Sequence, residues 1–400
     1  MLNRVSPARS GVDLASAPDW IDRARALRPL ISAAADRIEQ EREIPEEVVA
    51  ALHEAQLFRM LLPRSCGGGE VEPAIYVQVI EEIAKADASA AWCLGQANGG
   101  TVAGAYLDPE AARTVFGDPR AVVASGPNFG TAVAVDGGYR VTGTWPFASG
   151  RKHAIWLAGH CLVQEPDGKP RLYPDGKPFE RTMFFPKEKA TFKDIWHVMG
   201  LKGTGSDQFT VTDLFVPEDL SFTREWPPDR RENGPLYRFS NYQLFGVGFA
   251  GVALGIARAT LDDFIALARE KAPRNSPQVL RDNALIQFQV GHAEAQLQSV
   301  RTFMVQTMRD LWDAVATGDT MDADQRARLR MTITFASQQS RDIVDVAYHA
   351  AGASAIFENN PFERRFRDVH TVSQQVQGHS SNFELLGQRL LGLDPVSKYL

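Results

Sequence analysis

Thr131-Ala-Val-Ala-Val-Asp-Gly-Gly-Tyr-Arg-Val-Thr-Gly-Thr-Trp-Pro-Phe-Ala-Ser-Gly150 is where the chain changes character. Residues 132–135 and 139–144 flank Asp136-Gly137-Gly138, which reads as strand, tight turn, strand. From the second strand onward Tyr139, Val141, Trp145 and Phe147 fall on one face at period two. Further strands are predicted at 155–163, 182–185 and 208–216, separated by proline and glycine turns such as 165–170. Together they predict a compact antiparallel β unit, a barrel or a sandwich.

On either side the pattern is helical. Ala24, Leu27, Ile31, Ala34 and Ile38 recur every three or four residues, with Pro29 predicted to interrupt or kink that helix. Helices follow at 45–55, 75–85 and 88–107, and no strand alternation appears before about residue 119. From about Tyr237 the helical pattern returns, with long runs at 284–315 and 322–351 that suit a bundle. The predicted class is α+β: a flexible tail over 1–20, a helical domain over 21–118, a β domain over 119–232 and a C-terminal four-helix bundle over 233–400.

Composition narrows the function. The 400 residues are 44% hydrophobic and 23% charged, as in ordinary globular proteins. A net charge of -6 offers no attraction to a polyanion, so nucleic acid is not an expected partner. Residues 239–257 are apolar, but Ser240, Asn241 and Gln243 interrupt them, which predicts a buried helix and no membrane partner. Three scattered cysteines (Cys66, Cys93, Cys161) and no N-terminal apolar run fit a reducing cytoplasm. Gly246-Val-Gly248-Phe-Ala-Gly251 matches a dinucleotide fingerprint, but no strand precedes it and Asp262 comes too early. Close packing between bundle helices explains those glycines better. The eight histidines include no pair one helical turn apart, so no metal site is expected.

Two longer segments carry more. Gly143-Thr-Trp-Pro-Phe-Ala-Ser-Gly150 with Ala154-Ile-Trp156 resembles the flavin motif in the β domain of the acyl-CoA dehydrogenase fold. Met199-Gly-Leu-Lys-Gly-Thr-Gly-Ser-Asp207, then Asp213-Leu-Phe-Val-Pro-Glu218, resembles the segment that follows it there, with support from 63–69 and from Pro361-Phe-Glu-Arg-Arg-Phe-Arg-Asp368. The resemblance implies an acyl-CoA dehydrogenase-like flavoprotein over nearly the whole chain. It places Ser149 beside flavin N5, Phe147 along the isoalloxazine and Ser125 at the pyrimidine end, with Ala124 and Trp145 as their cofactor-binding neighbours.

Which chemistry the resemblance implies depends on a base. Dehydrogenases of the fold remove an α-proton with a glutamate, which aligns here with Val376 or near Phe245. Neither 369–383 nor 233–261 contains Asp or Glu, and valine cannot accept a proton. The two-component flavin monooxygenases of the same fold need no such base: they take reduced flavin from a separate reductase and use O2, through a C4a-hydroperoxide, on an aromatic or heteroatom substrate. Arg367-Asp-Val-His-Thr-Val-Ser-Gln-Gln-Val-Gln-Gly-His379 resembles that branch. Where those hydroxylases place histidines, this chain has Gln375 and Asn98, amides that donate hydrogen bonds but do not shuttle protons. His370 and His379 are the available substitutes, and one regular helix sets them about 180° apart. Pro273 falls in the segment that would hold the adenine end of FAD, which tilts the expected flavin toward FMN, FAD being the other candidate. The resemblance also implies a homotetramer, with 380–400 near a neighbour's flavin. Two other readings are an acyl-CoA dehydrogenase with a non-standard base and a catalytically silent partner subunit.

Overall fold

Helix α1 (Trp20–Glu41) runs unbroken through Pro29. That proline is exposed, so the carbonyl it leaves without an amide partner faces solvent rather than core, and the expected interruption does not occur. The computed structural model describes residues 20–393 except 225, 275–277 and 319; the expected tail over 1–20 lies outside it save for Trp20. After α1 come α2 (Glu46–Glu54), α3 (Pro73–Ala84), α4 (Ala88–Thr101) and α5 (Pro109–Phe116). The predicted 88–107 helix is α4 followed by a 3-10 turn over Val102–Ala105. Asp87 caps α4, its side chain accepting from the Ala90 amide.

Seven strands form one sheet in the order β5-β6-β2-β1-β3-β4-β7. They are β1 (Val123–Val135), β2 (Gly138–Trp145), β3 (Trp156–Gln164), β4 (Glu180–Pro186), β5 (Thr191–Lys193), β6 (Gln208–Pro217) and β7 (Ser221–Phe222). The β1–β2 hairpin turns at Asp136-Gly137 as predicted, Gly137 having φ 73°. The expectation of a purely antiparallel unit needs correction: β1 and β3 run parallel, because the 146–155 connection carries the chain back before β3 begins. Trp145 fills the curve of the sheet, stacked on Phe209 at 5.0 Å and pressed against Gly130, Gly143 and Gly159.

The C-terminal part comprises α6 (Asn241–Glu270), α7 (Ala284–Ala316), α8 (Ala323–Ala351), α9 (Pro361–Val372) and α10 (Asn382–Leu390). Helices α6, α7, α8 and α9 pack on one another, and α6 also packs on α3 and α4. A capping box at Ser240 and Gln243 starts α6. The Gly246–Gly251 motif lies inside α6 rather than at a helix N-terminus, where a phosphate would bind. A Cβ on Gly248 would stand 2.6 Å from the Tyr76 hydroxyl, and one on Gly255 would run into the Glu81 carbonyl. The glycines therefore let α6 lie directly on α3. Although α6 is long and apolar enough to cross a membrane, 89% of its most apolar window is buried within the protein, which makes it a core helix.

Candidate active site

Strand β2 ends at Trp145, and the chain then turns sharply. Phe147 takes φ 62° and swings out of the strand register, leaving its ring 54% exposed. The expectation that Phe147 shares the buried face of Tyr139, Val141 and Trp145 is therefore corrected; Pro146 ends the ladder because it has no amide to donate. The ring stands edge-on to Trp196, centroids 5.9 Å apart. Two residues on, Ser149 is buried, and Gly150 supplies the second left-handed residue of the turn.

The turn is laced to 204–207. The Ala148 amide donates to the Asp207 carbonyl and the Gly150 amide to the Thr204 carbonyl, each at 3.0 Å. Arg151 pairs with the buried Asp207 carboxylate. Ser149 Oγ accepts from Trp92 Nε1 at 3.1 Å and lies 2.6 Å from Ser206 Oγ. Ser206 Oγ lies 2.7 Å from Thr204 Oγ1, which donates to the Leu201 carbonyl at 2.9 Å.

Leu201 joins the β domain to the C-terminal helices. Its carbonyl also accepts from Trp196 Nε1 at 2.9 Å, and its amide donates to Asp368 Oδ1 on α9 at 2.6 Å. Burial pushes the Asp368 carboxyl up to about 7, with the Asp87 carboxylate adding to the shift. Burial likewise pushes Asp87, at the start of α4, up to about 6. Trp196 also borders a groove of about 890 Å³ between α1 and the 358–367 segment. Burial opposes ionisation of Glu39 in that groove, but Lys202 and Arg367 outweigh it and hold the carboxyl below its usual range.

The structure separates the expected site residues. Ser125 is half-buried beside a bulge in β1, and the adjoining Gly126 leaves no room for a Cβ against the Pro146 carbonyl, so Ser125 stands next to the Phe147 turn. Ala124 is buried and paired with Leu157; it supports Ser125 and presents no surface of its own. Trp145 is fully buried, its Nε1 donating to the His160 carbonyl at 3.0 Å, so its side chain is core rather than ligand contact. Asn98 is likewise core: its Nδ2 donates to the Leu57 and Leu94 carbonyls and its Oδ1 accepts from the Leu61 amide, which leaves no group for catalysis. His370 and His379 do not share a helix, because α9 ends at Val372. His370 Nε2 lies 2.8 Å from Asp345, while His379 Nδ1 lies 2.9 Å from Ser381 Oγ in the turns that follow. Gln375 accepts the Gln377 amide through Oε1, and its buried Nε2 has no hydrogen-bond partner. Val376 is exposed, with its carbonyl held by Asn382.

Sequence reasoning missed Trp92, Trp196, Thr204, Ser206 and Phe249. Trp92 stacks on Phe249 of α6 at 4.1 Å, the two rings nearly parallel. Its signal was present in the sequence: one large aromatic in a run of Ala, Ser and Gly, which on a helix is a wedge among small residues. A flat heteroaromatic ring suits this arrangement. Phe147 offers an exposed ring braced by Trp196, and Ser149 presents a fixed hydroxyl beside it.

Two family models match the chain: the acyl-CoA dehydrogenase N-terminal domain over residues 24–107 and the acyl-CoA dehydrogenase C-terminal domain over 247–379, together more than half of it. The indole-3-acetate monooxygenase of Pseudomonas putida is 28% identical, covering 99% of this chain and 98% of that protein. The oxygenase subunit HsaA of a flavin-dependent monooxygenase from Mycobacterium tuberculosis is 26% identical over 92% of this chain and 94% of its own length. Among solved structures, XiaF from Streptomyces sp., in complex with FADH2 and glycerol, superposes with a TM-score of 0.88 at 25% identity, covering 95% of this chain and 97% of XiaF. Helices, sheet and helices follow one another here as those matches require, and the chain belongs to the acyl-CoA dehydrogenase family.

Proposed function

We propose that this protein is the oxygenase component of a two-component flavin-dependent monooxygenase. It would take reduced flavin from a separate reductase and insert one atom of O2 into a small aromatic or heteroatom-bearing substrate. One observation carries this reading. Dehydrogenases of the fold hold their base at one of two positions, which align here with Val376 and near Phe245, and the chain segments that carry them touch where Gln377 packs on Gly246 of α6. Neither 369–383 nor 233–261 brings a carboxylate there. Without a base against the substrate, α-proton removal has no acceptor. The named activities of the P. putida and M. tuberculosis relatives agree with oxygenation.

Reduced flavin, when bound, supplies the activation of O2. The chain's residues would hold and orient it: Phe147 along the ring, Ser149 at N5, and Ser125 at the pyrimidine end. Trp92 and Phe249 wall the site with apolar surface and so exclude water. His370 and His379 are the proposed proton carriers; Asp345 engages one through Nε2 and Ser381 the other through Nδ1, so each keeps one ring nitrogen for a proton. Of the two flavins, the end of α6 at Glu270, just before Pro273, favours FMN, whereas FADH2 in XiaF favours FAD. Separate titrations with reduced FMN and reduced FAD decide between them.

We also infer a homotetramer in the cytoplasm. Leu285 and Phe288 on α7 and Leu390 and Leu391 at the end of α10 are exposed apolar residues that a second copy would cover. All three cysteines are free. Light scattering at micromolar concentration tests the tetramer, and a monomer would refute it. The function itself is tested by mixing the protein with reduced flavin and oxygenated buffer and assaying an aromatic panel for oxygenated product. Bleaching of bound oxidised flavin by an acyl-CoA would establish the dehydrogenase instead, and neither response would leave the silent-subunit reading.

A further inference from the structure

We propose that Thr204 and Ser206 are positioning residues that lock the Ser149 hydroxyl as a hydrogen-bond acceptor toward the flavin. This rests on the proposed placement of Ser149 at N5. The polarity follows from counting protons along a buried chain. Ser149, Ser206 and Thr204 are all buried, so water does not complete their hydrogen bonds. The Leu201 carbonyl only accepts, so its 2.9 Å contact with Thr204 Oγ1 consumes the single threonine proton. Thr204 must then accept from Ser206 at 2.7 Å, which consumes the Ser206 proton. Ser206 must in turn accept from Ser149 at 2.6 Å, which consumes the Ser149 proton. Trp92 Nε1 can only donate, and it occupies one Ser149 lone pair at 3.1 Å. Three hydroxyl protons thus satisfy three contacts in one direction only. Reversed, the chain would leave the Thr204–Leu201 contact without a proton.

What remains at Ser149 is one lone pair and no free proton. Such a group stabilises a protonated N5, as in reduced flavin, and opposes the bare N5 lone pair of oxidised flavin. The site therefore discriminates redox states through two residues that need not touch the flavin. The far end of the chain is anchored, because the Leu201 amide is held by Asp368 on α9.

The test is the ratio of dissociation constants for the oxidised and reduced forms of FMN and of FAD, each titrated anaerobically into the intact protein, with thermal unfolding recorded for each variant. Ser206→Ala frees the Ser149 proton to turn toward N5, and Thr204→Val lets Ser206 donate to Ser149 with the same consequence. Each variant is expected to narrow the preference for reduced flavin about tenfold, the worth of one hydrogen bond in a dry site. For a two-electron couple this equals a fall of about 30 mV in the potential of the bound flavin. Ser206→Thr keeps a hydroxyl and should restore the wild-type ratio. An unchanged ratio in folded Ser206→Ala or Thr204→Val protein overturns the proposal while leaving the flavin site standing. Failure of wild-type protein to bind either flavin in either form overturns the flavin placement itself.

Discussion

The indole nitrogen of Trp92 and the hydroxyl of Ser149 lie 3.1 Å apart across 57 residues of sequence. The contact ties the middle of α4 to the turn that ends β2, and the same indole stacks on Phe249 of α6. Trp92→Phe keeps an aromatic ring against Phe249 but removes the donor. We expect a loss of about 1–2 kcal/mol in urea unfolding, with reduced-flavin binding retained. A variant as stable as wild type would show that Trp92 contributes only its ring.

Ser149→Ala removes the group proposed at N5. Loss of one hydrogen bond in a desolvated site costs about 1–3 kcal/mol. The change should appear as more hydrogen peroxide released per product formed, alongside a loss of stability at least as large as that of Trp92→Phe, because the Trp92 indole loses the same hydrogen bond. An unaltered peroxide-to-product ratio would reduce Ser149 to a turn residue.

Asp368 makes stability depend on pH. Burial raises its carboxyl from 3.8 to about 7 in the folded protein, with Asp87 and Glu39 adding to the shift and Arg367 opposing it. A raised carboxyl binds its proton more tightly when folded. The stabilisation is therefore complete below about pH 4 and is lost as pH rises through 7. Asp368→Asn keeps an acceptor for the Leu201 amide and cannot ionise. Relative to wild type it should gain stability on the order of 2–4 kcal/mol between pH 4 and 8, read from urea midpoints across that range. Parallel pH profiles for the two proteins would contradict the assignment.

Much of this could be read from periodicity. The spacing of Ala24, Ile31 and Ile38 marked α1, and alternation at Tyr139 and Val141 marked β2, because burial on one face leaves a repeating signature. Three features carried no such signature. The parallel β1–β3 pair depends on how the intervening chain returns, which a period of two does not encode. Phe147 leaves its strand through a left-handed residue that the alternation hid. Ser206 reaches Ser149, and Thr204 reaches Ser206, across a turn in which Leu201 and Gly205 are both left-handed; the 199–207 motif marked the segment but not the role of these two hydroxyls.

Gly255→Ala tests the contact of α6 with α3. The added methyl would meet the Glu81 carbonyl and the Ala84 side chain, and backbone does not yield cheaply. Such overpacking costs about 1–3 kcal/mol, although alanine is the better helix former by about 1 kcal/mol. A net gain in denaturant stability would mean that the two helices have slack between them.

The glycine stripe on α6 also bears on how the protein is made. Helices α3 and α4 have one wall of their shared core supplied by α6, and the whole sheet lies between them in the chain. A nascent chain leaving the ribosome exposes the apolar face of α3 throughout synthesis of the sheet, until α6 emerges to cover it. The N-terminal helices are thus a waiting half-core, and the cell's chaperones have a defined stretch of translation in which to guard them.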